Sequence, residues 1–265
     1  MKIKLIGCGT MGEAILKNLL RKKLADKNEI TVSDVAVERR ELLKKKYGVN
    51  VTENNVAAVK DAEVIILAIK PQDIGYVLGQ LAGQLKSQLV ISIAAGITLE
   101  LLITKLHYAQ VVRAMPNTPA QVGRGMTAWT GSKDLTGANC MKARTVLASL
   151  GEEQYFADEK YMDMATAISG SGPAYVFLFI EALIDAGVHI GLPRAVAQKL
   201  VIETISGSAE LIKKLDKHPA ELRNMVTSPG GTTAEALYRL EMGGLRSLMI
   251  SAVEAAYNKA RGLGK

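Results

Sequence analysis

The sequence predicts an α/β chain: a doubly wound parallel sheet over residues 1–158, followed by an all-helical domain over residues 159–265. Three observations predict it. A β-prone run at the start opens directly into a glycine turn and then into a helix of regular apolar spacing. Strand-like and helix-like segments then alternate as far as Phe156. From Lys160 onward no convincing strand pattern remains. Alternation of this kind builds a parallel sheet with helices on both faces, each connection crossing right-handed.

The first strand is Lys2-Ile3-Lys4-Leu5-Ile6, and the helix after it, Glu13 to Leu20, places Ile15, Leu16, Leu19 and Leu20 at helical spacing. Between them stands Gly7-Cys8-Gly9-Thr10-Met11-Gly12. The G-x-G-x-x-G spacing has a physical purpose. The first glycine permits the tight turn, the second leaves room for a pyrophosphate against the backbone, and the third lets helix and strand pack closely. The helix N-terminus adds free N–H groups and the positive end of a dipole. A tight βα turn without a ligand is the alternative for such a glycine run. Its position between a first strand and a helix favours a dinucleotide and a Rossmann-type sheet.

The second strand is Glu29 to Asp34. A carboxylate about 20 residues beyond the glycine turn commonly accepts hydrogen bonds from an adenosine ribose. Asp34 would repel a 2′-phosphate, whereas Arg39 and Arg40 could counter its charge. Asp34 as N-cap of the next helix weighs equally. That helix runs from Val37 to Tyr47 and stops at Gly48. Val49–Thr52 is a short strand, and a helix after Glu53-Asn54-Asn55 runs through Val59. Val64 to Ile69 is continuously apolar, as in the buried centre of a parallel sheet. It ends at Lys70-Pro71-Gln72, where Pro71 halts it. Ile74–Leu85 is a helix, Leu89–Ile93 a buried strand ending in Ala94-Ala95-Gly96, and Leu99–Leu106 a helix. Small residues after a strand leave room for a flat ring or a phosphate chain. Gln110–Met115 is a strand, Pro116-Asn117-Thr118-Pro119 a rigid turn, Gly123–Thr130 a further strand, Thr136–Leu150 a helix and Glu153–Phe156 a last strand.

In the second part, Tyr161–Ile168 is helical and Ser169-Gly170-Ser171-Gly172 interrupts it. Pro173 suits a new first turn. Ala174–Ala186 is apolar nearly all round, which requires burial on every side. The remaining helices struggle to surround it, so a second subunit is expected to cover part of it. Gly187 and Gly191 bracket a turn, Leu192-Pro193 starts a helix to about Leu215, and Gly207 within it suggests close packing. His218-Pro219 opens a helix to Val226, and Ala234–Met242 and Leu245–Arg261 close the chain. Ser228-Pro229-Gly230-Gly231-Thr232-Thr233 forms a second chemical site. Two glycines allow close backbone approach, and unpaired N–H groups at a helix start suit a small carboxylate. A capping box of Thr232 with Glu235 would explain the threonines alone, but not the Pro-Gly-Gly before them.

Composition bounds the rest. The chain has 265 residues, 48% hydrophobic and 22% charged, as in an ordinary globular protein. Aromatics at 5% are too few for base-stacking surfaces. The net charge of +7 could attract nucleic acid or an anionic small molecule, but the basic runs Arg21-Lys22-Lys23 and Lys44-Lys45-Lys46 sit at helix ends, where cations favour the dipole, and read as a solvated face. Nucleic acid is therefore not an expected partner. Two cysteines, Cys8 and Cys140, give neither a disulfide framework nor a metal site. The strongest apolar run, Val64 to Ile69, is too short for a bilayer, and the chain is expected to be cytoplasmic and free of membrane. His107, His189 and His218 sit at helix ends and are assigned no catalytic role.

The chain resembles the pyrroline-5-carboxylate reductases over essentially its whole length. The stretches that carry the likeness are G-C-G-T-M-G at 7–12, A-I-K-P-Q at 68–72, S-I-A-A-G at 92–96, R-A-M-P-N-T-P at 113–119, S-G-S-G-P-A-Y at 169–175 and P-A-E-L-R-N-M-V-T-S-P-G-G-T-T at 219–233. The last is the family's specific signature; the others fit several related reductases. The resemblance implies a Rossmann domain, a helical dimerisation domain, dimers that often assemble into larger rings, and reduction of 1-pyrroline-5-carboxylate to L-proline with NADPH or NADH. By position it implies that Ile6, Gly7, Cys8, Gly9, Thr10 and Met11 hold the pyrophosphate. Ser33 and Asp34 would lie by the adenosine ribose, Asn55 by the cofactor, Ala68, Ile69, Lys70 and Pro71 along it, and Ile93, Ala94 and Ala95 near the nicotinamide. It places Glu159, Ser228, Gly230, Gly231, Thr232 and Thr233 at the substrate, with Thr233 orienting the ring nitrogen. Two departures stand out. Asp34 replaces a neutral residue of many NADPH-preferring members, and Met225 replaces an asparagine that approaches the cofactor in some. A reductase of another small carboxylate, or a dinucleotide sensor without activity, are the competing readings. The first usually needs a lysine or histidine acid in the second domain, where this chain offers glycines and threonines.

Overall fold

The computed structural model describes residues 1–263; residues 264 and 265 of the expected helical domain lie outside the described residues. Contacts divide the chain into two compact units, Met1–Pro173 with the segment from Ala255 onward, and Ala174–Glu254.

The first unit holds one sheet of β1 (Ile3–Ile6), β2 (Ile30–Ser33), β3 (Asn50–Thr52), β4 (Val64–Leu67), β5 (Leu89–Ser92), β6 (Val111–Met115), β7 (Gly125–Gly131) and β8 (Gly151–Tyr155). Their order is β3-β2-β1-β4-β5-β6-β7-β8. The helices are α1 (Thr10–Arg21), α2 (Val37–Tyr47), α3 (Asn55–Val59), α4 (Ile74–Leu81), α5 (Leu99–Leu106), α6 (Gly137–Ala148) and α7 (Tyr161–Ala165). Side chains alternate across a strand, and the strands feed two cores accordingly. Ile3, Leu5, Val64, Ile66 and Ile91 pack with Ile15, Leu16 and Leu19 of α1 and with Trp129. Ile6, Ile65, Leu67 and Val90 pack with Val77, Leu78 and Leu81 of α4 and Leu102 of α5. A sheet covered on both faces is the doubly wound arrangement expected.

One pairing departs from the expected parallel sheet: β7 runs antiparallel to β6. The connection between them holds only the 3-10 turn Thr118–Val122. A parallel return needs a crossover of about a dozen residues or more, usually a helix, which this segment lacks. The fourth helix also ends early, at Leu81 rather than Leu85, and Gly83 at φ +72° turns the chain away.

Five helices follow: α8 (Gly172–His189), α9 (Arg194–Leu215), α10 (Pro219–Met225), α11 (Thr232–Met242) and α12 (Leu245–Gly262). Among the described residues no strand follows β8. The expected interruption at Ser169–Gly172 is instead a π-turn, Thr166–Gly170, closed by Ser171 N–H donating to Thr166 O at 2.8 Å. A bond to the residue five back absorbs one extra residue without ending the helix. Helical backbone therefore runs on over Tyr161–His189, and an 18-residue stretch within it reaches a mean hydropathy of 1.5. That helix meets the length and composition of a membrane span, which the shorter Val64–Ile69 run does not. Gly187 lies inside α8 rather than in a turn, where a Cβ would come 3.0 Å from the Cβ of Ala197. The turn itself centres on Gly191 at φ +105°. Gly207 does not mark close packing, since a Cβ there would meet nothing within 4 Å in the single chain. Val176, Phe177, Leu178 and Phe179 of α8 are 46%, 59%, 66% and 45% exposed. One chain alone leaves this apolar face uncovered.

Candidate functional site

The register of the sheet aligns the carboxyl ends of four strands. Ser33, Ile6, Leu67 and Ser92 stand in one row across β2, β1, β4 and β5. The ladder continues one residue further: Gly7 N–H donates to Ser33 O (2.7 Å), Ala68 N–H to Ile6 O (2.8 Å) and Ile93 N–H to Leu67 O (3.1 Å). Strand order reverses between β1 and β4, and ligands of open α/β sheets bind in the crevice at such a reversal. A cavity of about 420 Å³ opens there, lined by Ile6, Gly7, Cys8, Gly9, Ser33, Asp34, Asn55, Ala68, Ile69 and Lys70 among the expected residues. Val35, Asp73, Tyr76 and Val77 complete it. The remaining expected residues lie off this cavity. Thr10 is exposed in the first turn of α1, and Met11 packs against the core. Pro71 begins a 3-10 turn after Lys70. Ile93, Ala94 and Ala95 follow β5 one strand over.

Val35 and Tyr76 are 86% and 71% exposed and escaped the sequence reading. Tyr76 had a signal. It falls off the buried stripe of Ile74, Val77, Leu78 and Leu81 on α4, so its ring faces away from the core. Val35 follows a strand end and has none.

The glycine turn fits a dinucleotide by steric test. Gly7 sits at φ +77°, and a Cβ there would collide with Ile69 Cγ2 and lie 2.8 Å from Ala68 O. At Gly12 a Cβ would lie 2.9 Å from Gly7 O. At Gly9 it would meet nothing within 4 Å, so the space before this residue is open. The turn is gripped from both sides. Cys8 N–H donates to Asp34 Oδ2 at 2.9 Å, while Arg39 Nε donates to Cys8 O at 2.5 Å and its Nη2 to Gly9 O at 3.3 Å. The Cys8 thiol is buried in the core, and burial pushes its pKa up to about 12. Asp34 is not the N-cap of α2, which is Ala36. Its Oδ1 accepts from Ala36 N–H at 3.0 Å, closing a turn. Ser33 Oγ donates to Asn55 Oδ1 at 2.7 Å, and Asn55 Nδ2 donates to Gln80 Oε1 at 2.8 Å.

Behind the turn, Glu13 accepts from Lys46 (2.8 Å), Tyr47 (2.8 Å) and Arg39 (2.5 Å). Hydrogen bonding by Lys46, then by Tyr47 and Arg39, lowers its pKa to about 2. A depressed carboxylate contributes stability that is present above its unfolded pKa, near 4.5, and is lost as pH falls toward 2. Acid titrations of wild type and Glu13→Gln, followed by thermal unfolding, are expected to converge between those limits. Curves that stay parallel would deny Glu13 this role.

The expected substrate residues fall in two places. Glu159, in the first unit, accepts from Arg113 Nη1 at 2.9 Å and from Leu99 N–H at 2.8 Å through one oxygen. It also lines a second cavity of about 560 Å³. The turn 228–233 belongs to the second unit. Gly230 takes φ +70°, Gly231 N–H donates to Ser228 O at 3.1 Å, and a Cβ on Gly231 would lie 2.5 Å from Ser228 Oγ. Gly230 is thus required by the turn's own left-handed geometry, whereas Gly231 is constrained mainly by the Ser228 hydroxyl beside it. The expected Thr232–Glu235 capping box is absent. Helix α11 starts one residue earlier than that pattern assumed, with Gly231 as N-cap and no side-chain cap. Glu235 pairs with Arg239 at 3.1 Å instead. Thr232 is exposed and Thr233 half-buried in the first turn, where backbone N–H groups lack intrahelical acceptors. Met225, at the end of α10, is exposed. The three histidines lie at helix ends: His107 caps α5, His189 ends α8, and His218 caps α10 through Nδ1.

A family model described as pyrroline-5-carboxylate reductase dimerisation matches residues 159–263, and one described as NADP oxidoreductase coenzyme F420-dependent matches residues 2–96. The pyrroline-5-carboxylate reductase of Synechocystis sp. is 46% identical over 265 residues, spanning 100% of this chain and 99% of its own. That of Escherichia coli is 39% identical, spanning 100% and 98%. The crystal structure of the Plasmodium falciparum enzyme with NADP bound superposes at a TM-score of 0.91, with 35% identity over 100% of this chain and 98% of that one. On the strength of these full-length likenesses, the chain belongs to the pyrroline-5-carboxylate reductase family.

Proposed function

We infer that this chain is an NAD(P)H-dependent oxidoreductase that reduces 1-pyrroline-5-carboxylate to L-proline, the last step of proline biosynthesis. The observation that carries the reading is the open space at Gly9, in a switch-point cavity of a chain that matches its family end to end. NAD(P)H, when bound, supplies the hydride that the electrophilic C=N carbon of the substrate accepts. The chain's own residues bind and orient. The first turn of α1 would receive the pyrophosphate on its free N–H groups, and Ser33 and Asn55 the adenosine side. The Gly230-Gly231-Thr232 backbone would take the substrate carboxylate, and the Thr233 hydroxyl would hydrogen-bond the ring nitrogen. A threonine hydroxyl is a weak acid, so Thr233 positions the imine, and the proton comes with the substrate or from water.

Thr233→Ala is expected to lower kcat/KM by about tenfold to a hundredfold, the scale of one or two hydrogen bonds in a transition state. Thr233→Ser should restore most of it. Steady-state kinetics with 1-pyrroline-5-carboxylate reads both variants, and unchanged kinetics in Thr233→Ala would refute its role. Cofactor oxidation on adding this substrate, against other small carboxylates, separates the reading from a different reductase. It also separates it from a sensor that binds without turnover.

The exposed face of α8 is the surface a second copy would cover in a homodimer, and larger rings of dimers fit the same reading. The long apolar stretch Tyr161–His189 is then a dimer helix rather than a membrane span, and the protein acts in the cytoplasm without nucleic acid. Light scattering on the purified chain tests the dimer; a monomer at micromolar concentration would overturn it.

A further inference from the structure

We propose that Asp34 makes this chain select NADH over NADPH. The inference rests on the dinucleotide reading of the switch-point cavity and goes further by naming which dinucleotide it takes. Asp34 lines that cavity with its carboxylate held in place by two backbone donors, Cys8 N–H at 2.9 Å and Ala36 N–H at 3.0 Å. Each of its oxygens retains a lone pair. A ribose 2′-hydroxyl donates to such a group, and because the rotamer is already locked, little side-chain entropy is lost on binding. A 2′-phosphate only accepts, and it carries a charge of about −1.5 to −2 at neutral pH.

Neutralisation by the neighbouring arginines is what would reverse this preference, and both are already engaged. Arg39 is turned behind the glycine turn onto Cys8 O, Gly9 O and Glu13. Arg40 donates to the backbone oxygens of Asp34 (2.7 Å) and Val35 (3.1 Å) and pairs with Glu53 at 3.2 Å. The cavity's other two charges, Lys70 and Asp73, are of opposite sign. Arg39 lies within electrostatic reach of Asp34, but both arginines spend their ion pairs on Glu13 and Glu53 and neither pairs with the Asp34 carboxylate, which lies next to Ser33 at the end of β2.

The test is calorimetric binding of NADH and of NADPH to the purified protein without substrate, at low and at raised salt, for wild type and Asp34→Ser. Wild type is expected to bind NADH at least about tenfold more tightly. Raised salt should shrink that ratio, because like-charge repulsion is screened. Asp34→Ser should shrink it about tenfold, mainly through tighter NADPH. Equal or tighter NADPH binding by wild type, or a ratio indifferent to salt, overturns the proposal. The salt series needs no variant and decides the matter even where Asp34→Ser folds poorly. Failure to bind either dinucleotide would instead sink the cofactor reading itself, and this proposal with it.

Discussion

Gly9→Val is expected to weaken dinucleotide binding by about a hundredfold or more while leaving the fold intact. The reasoning is steric and local. A Cβ at Gly9 meets no protein atom within 4 Å, and the residue's φ of −66° lies outside the left-handed region that favours glycine. The branched side chain would occupy the space through which a phosphate reaches the first N–H groups of α1. Two hydrogen bonds to a charged group, at about 1.5–3 kcal/mol each, set the size of the loss. Gly7→Ala should give the opposite pattern. There the φ is +77° and a methyl group collides with Ile69 and the Ala68 carbonyl. Left-handed strain of about 1–2 kcal/mol and overpacking of about 1–3 kcal/mol would both fall on stability. Calorimetric binding and thermal unfolding of the two variants, side by side, check the contrast. A Gly9→Val protein that binds NADH or NADPH normally would remove the pyrophosphate from this turn.

The second large effect belongs to Arg113. Its side chain is 6% exposed, and it pairs with Glu159 at 2.9 Å and Asp163 at 2.5 Å. It joins the middle of β6 to the segment that opens the helical part of the chain. Arg113→Met leaves two part-buried carboxylates with no cation. Breaking a buried pair by removing one partner costs about 3–5 kcal/mol, because the charge left behind is uncompensated. At about 2–4 °C per kcal/mol for a protein of this size, the unfolding midpoint should fall on the order of 10 °C. Adding Glu159→Gln and Asp163→Asn to that variant should recover much of the loss, since neutral amides lower the cost of burial. Thermal unfolding of the single and triple variants decides it. A single variant as stable as wild type would make the ion pairs ornamental.

Most of the sheet was legible from residue order. Runs such as Val64–Leu67 have no polar residue to expose, so they must be central strands. The glycine spacing after Ile6 announced both the turn and the cavity beside it. What sequence missed was mostly set by neighbours distant in the chain. The direction of β7 depends on a connection too short to cross over. The glycines at 170 and 172 read as a break, but a π-turn carries the helix through them. Tyr76 and Val35 entered the cavity because strand register brings α4 and the end of β2 to one edge.

The sequence by itself determined the alternation of strands and helices, the glycine turn, and the apolar helix that one chain leaves uncovered. These follow from local periodicity and from backbone conformations open only to glycine, so the nearest residues suffice to specify them. Only the tertiary structure decided what the charges do. Residue spacing left Asp34 poised between capping a helix and receiving a ribose, with two arginines free to neutralise it. Folding gives those arginines Glu13, Glu53 and backbone carbonyls as partners and gives Asp34 two amide donors. Electrostatic roles depend on distance in space, and chain order alone does not contain it.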